Sequence, residues 1–180
     1  MMREIALNIL DIVENSVKAG ATLITVTVEC HDNLLKVEIG DNGCGMDAEF
    51  AARVLDPFTT TRTTRKVGMG LPLFKMAAEM AGGGLSLVTE KGVGTTVTAT
   101  FVADHIDRAP LGDLGETMST LLDDERDFVL TVATDKGEYV FDTRELKREL
   151  DGISVTEPQI AVFVRDMIRE NINAIGGNLL

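Results

Sequence analysis

Two glycine-containing segments are places where the backbone could approach a ligand closely. DNGCGM occupies residues 41–46, and VGMGLPLFK occupies residues 67–75. Glycine accepts positive φ and leaves room for a flat or charged group beside the backbone. The second segment passes from a Gly-x-Gly loop into a predicted helix, with Pro72 in its first turn. The N–H groups at such a helix start favour a phosphate, although a lone Gly-x-Gly is weak support and this one is not a Walker loop.

The predicted helix at 3–19 carries a stripe of polar side chains at steps of three and four residues. The stripe consists of Glu4, Asn8, Asp11, Asn15 and Lys18. One interpretation is a solvated helix face. The other is a ligand site, because Asn is a mediocre helix former and an amide oxygen beside a carboxylate suits Mg²⁺ or its waters.

Asp41 and Thr95 are predicted to point into the helix-covered layer of a sheet. Alternate residues of a strand share one face, and these two residues continue the apolar faces of predicted strands 34–40 and 94–102. An unpartnered carboxylate in that layer is costly, so the two polar groups are expected to share a ligand or an ordered water. The alternative is that Asp41 caps the following turn, which the sequence DNG also favours.

The elements that position these residues are short helices and strands with brief connections. The first segment is predicted to contain helix 3–19, strands 22–30 and 34–40, a short helix near 48–55, a loop through 56–69, helix 71–82, and strands 84–90 and 94–102. After a break in composition at 104–115 come a short helix near 115–122, a hairpin of 128–134 and 138–142, and helices 143–150 and 157–175. The last helix carries an apolar stripe of Ile160, Phe163, Val164, Met167, Ile168, Ile172 and Ile175.

This order predicts an α+β fold, a two-layer α/β sandwich with a mixed sheet, followed by a small α+β C-terminal extension. A doubly wound parallel sheet fits less well, because several strands are joined by very short links. The predicted domains are residues 1–104 and a small acidic module at 115–180.

Charge and composition exclude several classes of function. The net charge of -12 argues against binding to nucleic acid, which needs clustered Lys and Arg. Most of the excess negative charge falls in residues 104–180, so a polyphosphate site is expected in the first segment. The two cysteines have neither zinc nor disulfide spacing, and there is no membrane-length apolar run or secretory signal. A cytoplasmic protein with no membrane contact is expected.

In order along the chain, these motifs resemble the signatures of the gyrase, chaperone, histidine kinase and MutL (GHKL) ATP-binding superfamily. DIVENSVKAGA (11–21) resembles the N box, and DNGCGM (41–46) resembles the first glycine box. GMGLPL (68–73) and GVGTTV (92–97) resemble the second and third glycine boxes. DPFTTTR (56–62) resembles the phenylalanine-containing box that histidine kinases carry before the ATP lid.

The resemblance covers roughly residues 3–102 and implies a histidine-kinase-type ATPase domain that binds ATP and Mg²⁺. By match, Asn15 would coordinate the metal, Asp41 would accept a hydrogen bond from the adenine amino group, and Thr95 would assist through water. The other residues implied to bind the nucleotide are Gly43, Gly45 and Met46 near the base, Thr60, Arg62 and Lys66 before and within the short lid, and Gly68, Gly70 and Leu71 at the phosphates. A solvated lid is the alternative interpretation for Arg62, Arg65 and Lys66.

Asp11 stands where MutL-type relatives place the Glu that activates the attacking water, which makes it the candidate catalytic residue. The short lid instead resembles histidine kinases and anti-sigma-factor serine kinases. His31 and His105 lack the flanking residues of a phosphoacceptor box, so a kinase would act on another protein. Cys44 has a redox-sensitive interpretation, but a packing role is the plainer one.

Three functions follow from this resemblance. The chain is interpreted as a stand-alone kinase that phosphorylates a His or Ser of a protein partner, as a slow ATPase switch, or as a nucleotide-sensing module without turnover. Residues 104–180 match none of the motifs. The arrangement resembles small ATP-binding proteins found beside redox-enzyme subunits, so this part is expected to dock a redox or signalling partner or to form a homodimer, with a stabilising extension as the alternative.

Overall fold

One six-stranded mixed sheet organises the chain in a computed structural model that describes residues 2–56, 69–177 and 180. The strands are β1 (Leu23–His31), β2 (Leu34–Asp41), β3 (Gly84–Glu90), β4 (Gly94–Val102), β5 (Asp127–Thr134) and β6 (Gly137–Asp142). The described helices are α1 (Ile5–Lys18), α2 (Ala48–Arg53), α3 (Gly70–Met80), α4 (Leu114–Leu121), α5 (Thr143–Leu150) and α6 (Pro158–Ala174). The strand order is β3-β4-β2-β1-β5-β6, with β1 and β5 parallel and the other neighbours antiparallel. The predicted α+β sandwich with a mixed sheet is confirmed.

Buried and partly exposed residues alternate along the strands, and this alternation shows which face of the sheet is covered. In β2 the residues Leu35, Val37 and Ile39 are buried, while Lys36 and Glu38 between them are partly exposed. The central strands β1, β4 and β5 alternate in the same way. The described helices therefore pack on this face, and the other face carries polar side chains toward solvent.

Two helices fill the layer above the central strands. The face of α1 that meets the sheet buries Ile5, Ile9 and Ile12, and α3 buries Phe74. The rings of Phe74 and Phe101 lie with centroids 6.0 Å apart in a tilted arrangement. Burial of each such large side chain contributes about 1.5–3 kcal/mol, so this layer holds the N-terminal and glycine-rich segments together.

The start of α1 is held by the segment that follows β4. Glu4 provides no side-chain cap for this helix. Instead, the N–H of Ile5 donates to the carbonyl of Pro110 at 3.0 Å, and the N–H of Ala6 donates to the carbonyl of Leu111 at 2.8 Å. Two of the orphan donors of a helix start are thereby satisfied by a distant part of the chain.

The C-terminal residues extend the same sheet. Strand β5 lies parallel to β1, with Val26 opposite Leu130, and β6 pairs with the outer side of β5. Phe128 and Leu130 belong to the same buried cluster as the α1 residues. A division into domains at 104–115 stays a prediction, and the two segments share one sheet and one core.

The apolar stripe of the last helix is only partly covered. Val164, Ile168 and Ile172 are buried, but Phe163 is 58% exposed because α4 packs on one side of α6 and leaves its outer side open.

Much of the predicted loop at 56–69 falls outside the described residues. Among the residues described, no helix has the length and apolar character needed to cross a membrane.

We expect Leu130→Ala to lower the free energy of unfolding by about 2–5 kcal/mol, because this fully buried side chain leaves a cavity between β1 and β6. The matched control is Val140→Ala on neighbouring β6, whose side chain is 51% exposed and should change stability by roughly 0.5 kcal/mol or less. Chemical denaturation followed by circular dichroism should show one transition. Two separated transitions, with only one shifted, would contradict the shared core.

Candidate functional site

A cavity of about 510 Å³ opens between α1, the loop after β2 and the start of α3. Its apolar walls are Ile12, Ile39, Met46, Phe50, Leu71 and Val97. Its polar groups are Asn15, Ser16, Lys18, Asp41 and Thr95, with the backbone of Gly45 and the thiol-bearing Cys44 at the rim. A mostly apolar cavity of this volume with a few placed polar groups is typical of a small-molecule site.

Asp41 ends β2 and points into this cavity, as the strand parity predicts. The β2–β4 register places Asp41 directly opposite Thr95. The Ser16 hydroxyl donates to one carboxylate oxygen of Asp41 at 2.5 Å, and the N–H of Gly43 donates to the other at 2.9 Å. Asp41 therefore caps the turn and faces the cavity at once. A carboxylate offers about four acceptor positions, so two contacts leave capacity for a ligand.

Gly43 and Gly45 support the loop by different means. Gly43 does not line the cavity, but its N–H orients Asp41. Gly45 has a φ of +62°, and a Cβ there would lie 2.0 Å from the carbonyl oxygen of Glu90. The N–H of Gly92 also donates to the carbonyl of Cys44 at 2.7 Å. Packing of the loop against the β3–β4 turn therefore demands glycine at 45, in addition to any need for room beside a ligand.

The polar stripe of α1 divides between the cavity and the start of α3. Asn15 lines the cavity, whereas Asp11 lies one turn earlier and outside its lining. A Cβ placed on Gly70 would lie 3.4 Å from a carboxylate oxygen of Asp11, so this carboxylate sits beside the first turn of α3. Asn8 is 1% exposed, so the solvated-face interpretation does not apply to it. Within the described residues its side-chain oxygen has no hydrogen-bond partner.

The environment of Asp11 changes its acidity. Burial raises the pKa of the Asp11 carboxyl above its ordinary value of 3.8, and the neighbouring Glu14 carboxylate raises it further. Lys18 opposes both effects. A carboxylate with a raised pKa is a stronger base, which favours proton transfer near neutral pH.

A metal at this site would need ligands from the bound molecule. In the part of the chain that the structure describes, no group of three or more His, Cys, Asp or Glu residues could hold a metal ion. Asn15 lines the cavity, and within the same residues its side chain makes no hydrogen bond. One amide oxygen plus phosphate oxygens and water is an arrangement that Mg²⁺ accepts, so these residues fit a metal carried by a nucleotide.

Six of the nine predicted site residues that the structure describes come together in the cavity, namely Asn15, Asp41, Gly45, Met46, Leu71 and Thr95. Gly70 lies at the start of α3 beside them. Thr60, Arg62, Lys66 and Gly68, together with Arg65, lie outside the described residues.

The sequence assigned no individual role to four residues around the cavity, which are Ser16, Lys18, Phe50 and Thr89. Ser16 and Lys18 carried a weak signal, because they neighbour Asn15 on the same helix at one and three residues. Phe50 and Thr89 carried none, since they reach the site from α2 and β3 through tertiary packing.

Residues 3–105 match the family described as "Histidine kinase-, DNA gyrase B-, and HSP90-like ATPase". This match spans more than half of the chain, and the chain belongs to that family. It is therefore an ATP-binding protein of the histidine-kinase-like ATPase type within the GHKL superfamily, as the motifs predicted.

Individual relatives agree with this assignment. An uncharacterized sensor-like histidine kinase of Rhizobium meliloti is 33% identical over 87 residues, covering 46% of this chain and 17% of the relative. The signal transduction histidine-protein kinase AtoS of Escherichia coli is 29% identical over 98 residues, covering 54% of this chain and 16% of the relative. The chain thus spans less than a fifth of the length of either kinase.

The fold itself recurs in a solved structure. The crystal structure of the N-terminal domain of a DNA repair protein aligns with a TM-score of 0.54 at 15% identity, covering 77% of this chain and 52% of that one. At this identity the likeness concerns the fold alone.

We expect Asp11→Asn to stabilise the nucleotide-free protein at neutral pH. Because the folded-state pKa of Asp11 is raised, the ionised carboxylate costs stability once the pH exceeds that pKa. The advantage of the Asn variant should shrink as the pH falls toward 3.8 and below, where Asp11 is protonated in both states. Melting temperatures of both proteins between pH 4 and 8 measure the effect.

The control is Glu79→Gln, which removes an exposed acid of α3 whose ion pair with Lys75 is long at 3.9 Å. It should change the melting temperature little at any pH. Equal melting temperatures of wild type and Asp11→Asn at pH 7 would show that Asp11 is not strained by its surroundings.

Proposed function

We propose that this chain binds ATP with Mg²⁺ in the cavity and transfers the γ-phosphoryl group to a histidine or serine of a separate protein. The observation that carries the second half of this proposal is the position of the chain's own histidines, which lie far from the cavity. The names of the relatives, which are histidine kinases, support the same class of reaction.

Both histidines lie at the opposite end of the sheet from Asp41. Asp41 pairs with Ile24 at the start of β1, whereas His31 is the last residue of β1 and pairs with Leu34. The length of β1 separates these two ends by roughly 23 Å at about 3.3 Å per residue. His105 follows β4 beyond Val102, which pairs with Leu34 at the same far end. Both imidazoles therefore lie beyond direct reach of the cavity in their own copy, which supports an acceptor on a separate protein.

The inner end of the cavity suits adenine. Ile39, Met46 and Val97 provide apolar contact for a flat ring, and the Asp41 carboxylate has acceptor capacity for an exocyclic amino group. The volume is sufficient for a base and its sugar.

The outer end suits phosphates. Lys18 brings a cation to the rim, and Asn15 offers an amide oxygen for Mg²⁺. Leu71 lines the cavity in the first turn of α3, where free backbone N–H groups and the positive end of the helix dipole would favour phosphate oxygens. When bound, Mg²⁺ would neutralise phosphate charge, and these residues would orient the phosphate chain for transfer.

A second candidate is slow hydrolysis of ATP with Asp11 as the general base. The support is specific to this residue, because its pKa is raised and its carboxylate lies beside the first turn of α3. In that case the protein would act as a switch that responds to the state of the bound nucleotide.

We expect Asp41→Asn to weaken ATP binding by roughly 10- to 100-fold, because a charged acceptor is replaced by a neutral amide. Isothermal titration calorimetry with and without Mg²⁺ measures the change. Glu38→Gln is the matched control, since it removes a carboxylate from the same strand on the opposite face. Failure of the wild type to bind ATP at millimolar concentration would remove the basis of the proposal.

The Asp11→Asn variant distinguishes ATP hydrolysis from phosphoryl transfer to a protein. A general base typically contributes about 10²–10⁴-fold to the rate, so a loss of phosphate release in this range with ATP binding retained would favour the hydrolytic candidate.

If the protein is a kinase for a separate protein, γ-labelled ATP should leave no stable label on the purified chain. The variants His31→Gln and His105→Gln should then bind ATP and label the partner protein as the wild type does. Label on either histidine would contradict transfer to a separate protein.

A further inference from the structure

Thr89 lies outside the cavity but contacts Thr95, one of the two polar residues that would face an adenine base. A polar row crosses the helix-covered face of the sheet, with Thr89 of β3 opposite Thr95 of β4 and Thr95 opposite Asp41 of β2. Thr95 and Asp41 line the cavity, while Thr89 does not. Any effect of Thr89 on a ligand must therefore act through its neighbours.

The hydroxyl of Thr89 uses its full hydrogen-bonding capacity. It donates to the carbonyl oxygen of Gly94 at 3.1 Å and accepts the N–H of Met46 at 2.9 Å. Its oxygen also lies 2.9 Å from the Thr95 hydroxyl oxygen. A hydroxyl has one hydrogen and two lone pairs, and the hydrogen is already given to Gly94. Thr95 is therefore the donor in the bond between the two threonines.

This direction determines what the cavity offers to a base. With its only hydrogen directed to Thr89, the Thr95 hydroxyl presents lone pairs to the cavity. Asp41 is likewise an acceptor, since Ser16 and Gly43 both donate to it. The polar end beside the base thus consists of acceptors, and a ligand must bring a donor, directly or through one water.

We infer that Thr89 is a positioning residue that makes the cavity select a purine with a 6-amino group over one with a 6-oxo group. An amino group donates to this end, whereas a carbonyl oxygen in its place faces acceptors and forms no hydrogen bond with them, which is the costly case. The bond from Met46 to Thr89 also fixes the loop whose side chain forms part of the apolar wall. This inference rests on the proposed binding of ATP.

The test compares ATP with inosine triphosphate, which has a 6-oxo group and a hydrogen on N1 where ATP has a 6-amino group and an N1 acceptor, in the whole chain by calorimetry. We expect the wild type to prefer ATP. In Thr89→Val, which keeps the shape but lacks the hydroxyl, the Thr95 hydroxyl becomes free to donate into the cavity. The ratio of the two affinities should then fall by roughly tenfold, about the worth of one neutral hydrogen bond.

Two further variants distinguish a positioning role of the Thr89 hydroxyl from a general loss of packing in the sheet. Thr89→Ser retains the hydroxyl and should keep the wild-type ratio, and Thr98→Val removes a threonine hydroxyl from the solvent face of β4, where it contacts Glu38, and should also keep it. In nucleotide-free Thr89→Val, the amide of Met46 should exchange faster with solvent, because it has lost its acceptor.

The outcomes distinguish a failure of this inference from a failure of the proposed binding of ATP. If Thr89→Val lowers both affinities in parallel and leaves their ratio unchanged, Thr89 is merely structural and the inference is wrong. Wild-type binding of both nucleotides with equal affinity overturns it as well. If the wild type binds neither nucleotide, the proposed function fails first.

Discussion

The register between β2 and β4 is the constraint on which the site depends. It brings Asp41 and Thr95 side by side on the covered face. A slip of β2 by one residue would turn Asp41 to solvent and would expose the apolar residues of β2 that precede it. Burial of Leu35, Val37 and Ile39 therefore fixes the position of a carboxylate that contributes nothing to that burial. The hydrophobic core and the binding chemistry are set by the same pairing.

A second layer of restraint converts this placement into a defined surface. Ser16 of α1, Gly43 of the following loop and Thr89 of β3 come from three separate parts of the chain, and each bonds to Asp41 or Thr95. Because a buried polar group without a partner is costly, each bond limits the orientations open to the next group. The Asp41 side of the cavity is consequently held by three separate parts of the chain. The opposite side is built from α1 and α3, where Gly70 brings the backbone of α3 close to the side chain of Asp11.

Much of the site could be predicted from the sequence, because Asp41 and Thr95 follow from strand parity, while Asn15 lies in a polar stripe given by helical spacing and was singled out by the family resemblance. Both are local rules with periods of 2.0 and about 3.6 residues. The partners Ser16 and Thr89 could not be assigned in this way, since their roles arise from pairing between elements distant in sequence. Gly45 was predicted for the room it gives a ligand, and the approach of the Glu90 backbone adds a requirement that only tertiary structure reveals. The parallel pairing of β5 with β1 was also beyond local rules, as a break in composition at 104–115 suggested separation where the sheet continues.

That continuation has a practical meaning for anyone who works with a fragment of this protein. The match to the ATPase family model ends at residue 105, but β1 still has β5 hydrogen-bonded along it from Leu23 to Cys30. A chain cut at that point would present an unpaired, apolar strand edge, together with an α1 start stripped of its Pro110 and Leu111 acceptors. Such an edge is a template for pairing between molecules. A fragment designed to stay monomeric should therefore include β5 as well as the residues that match the family model.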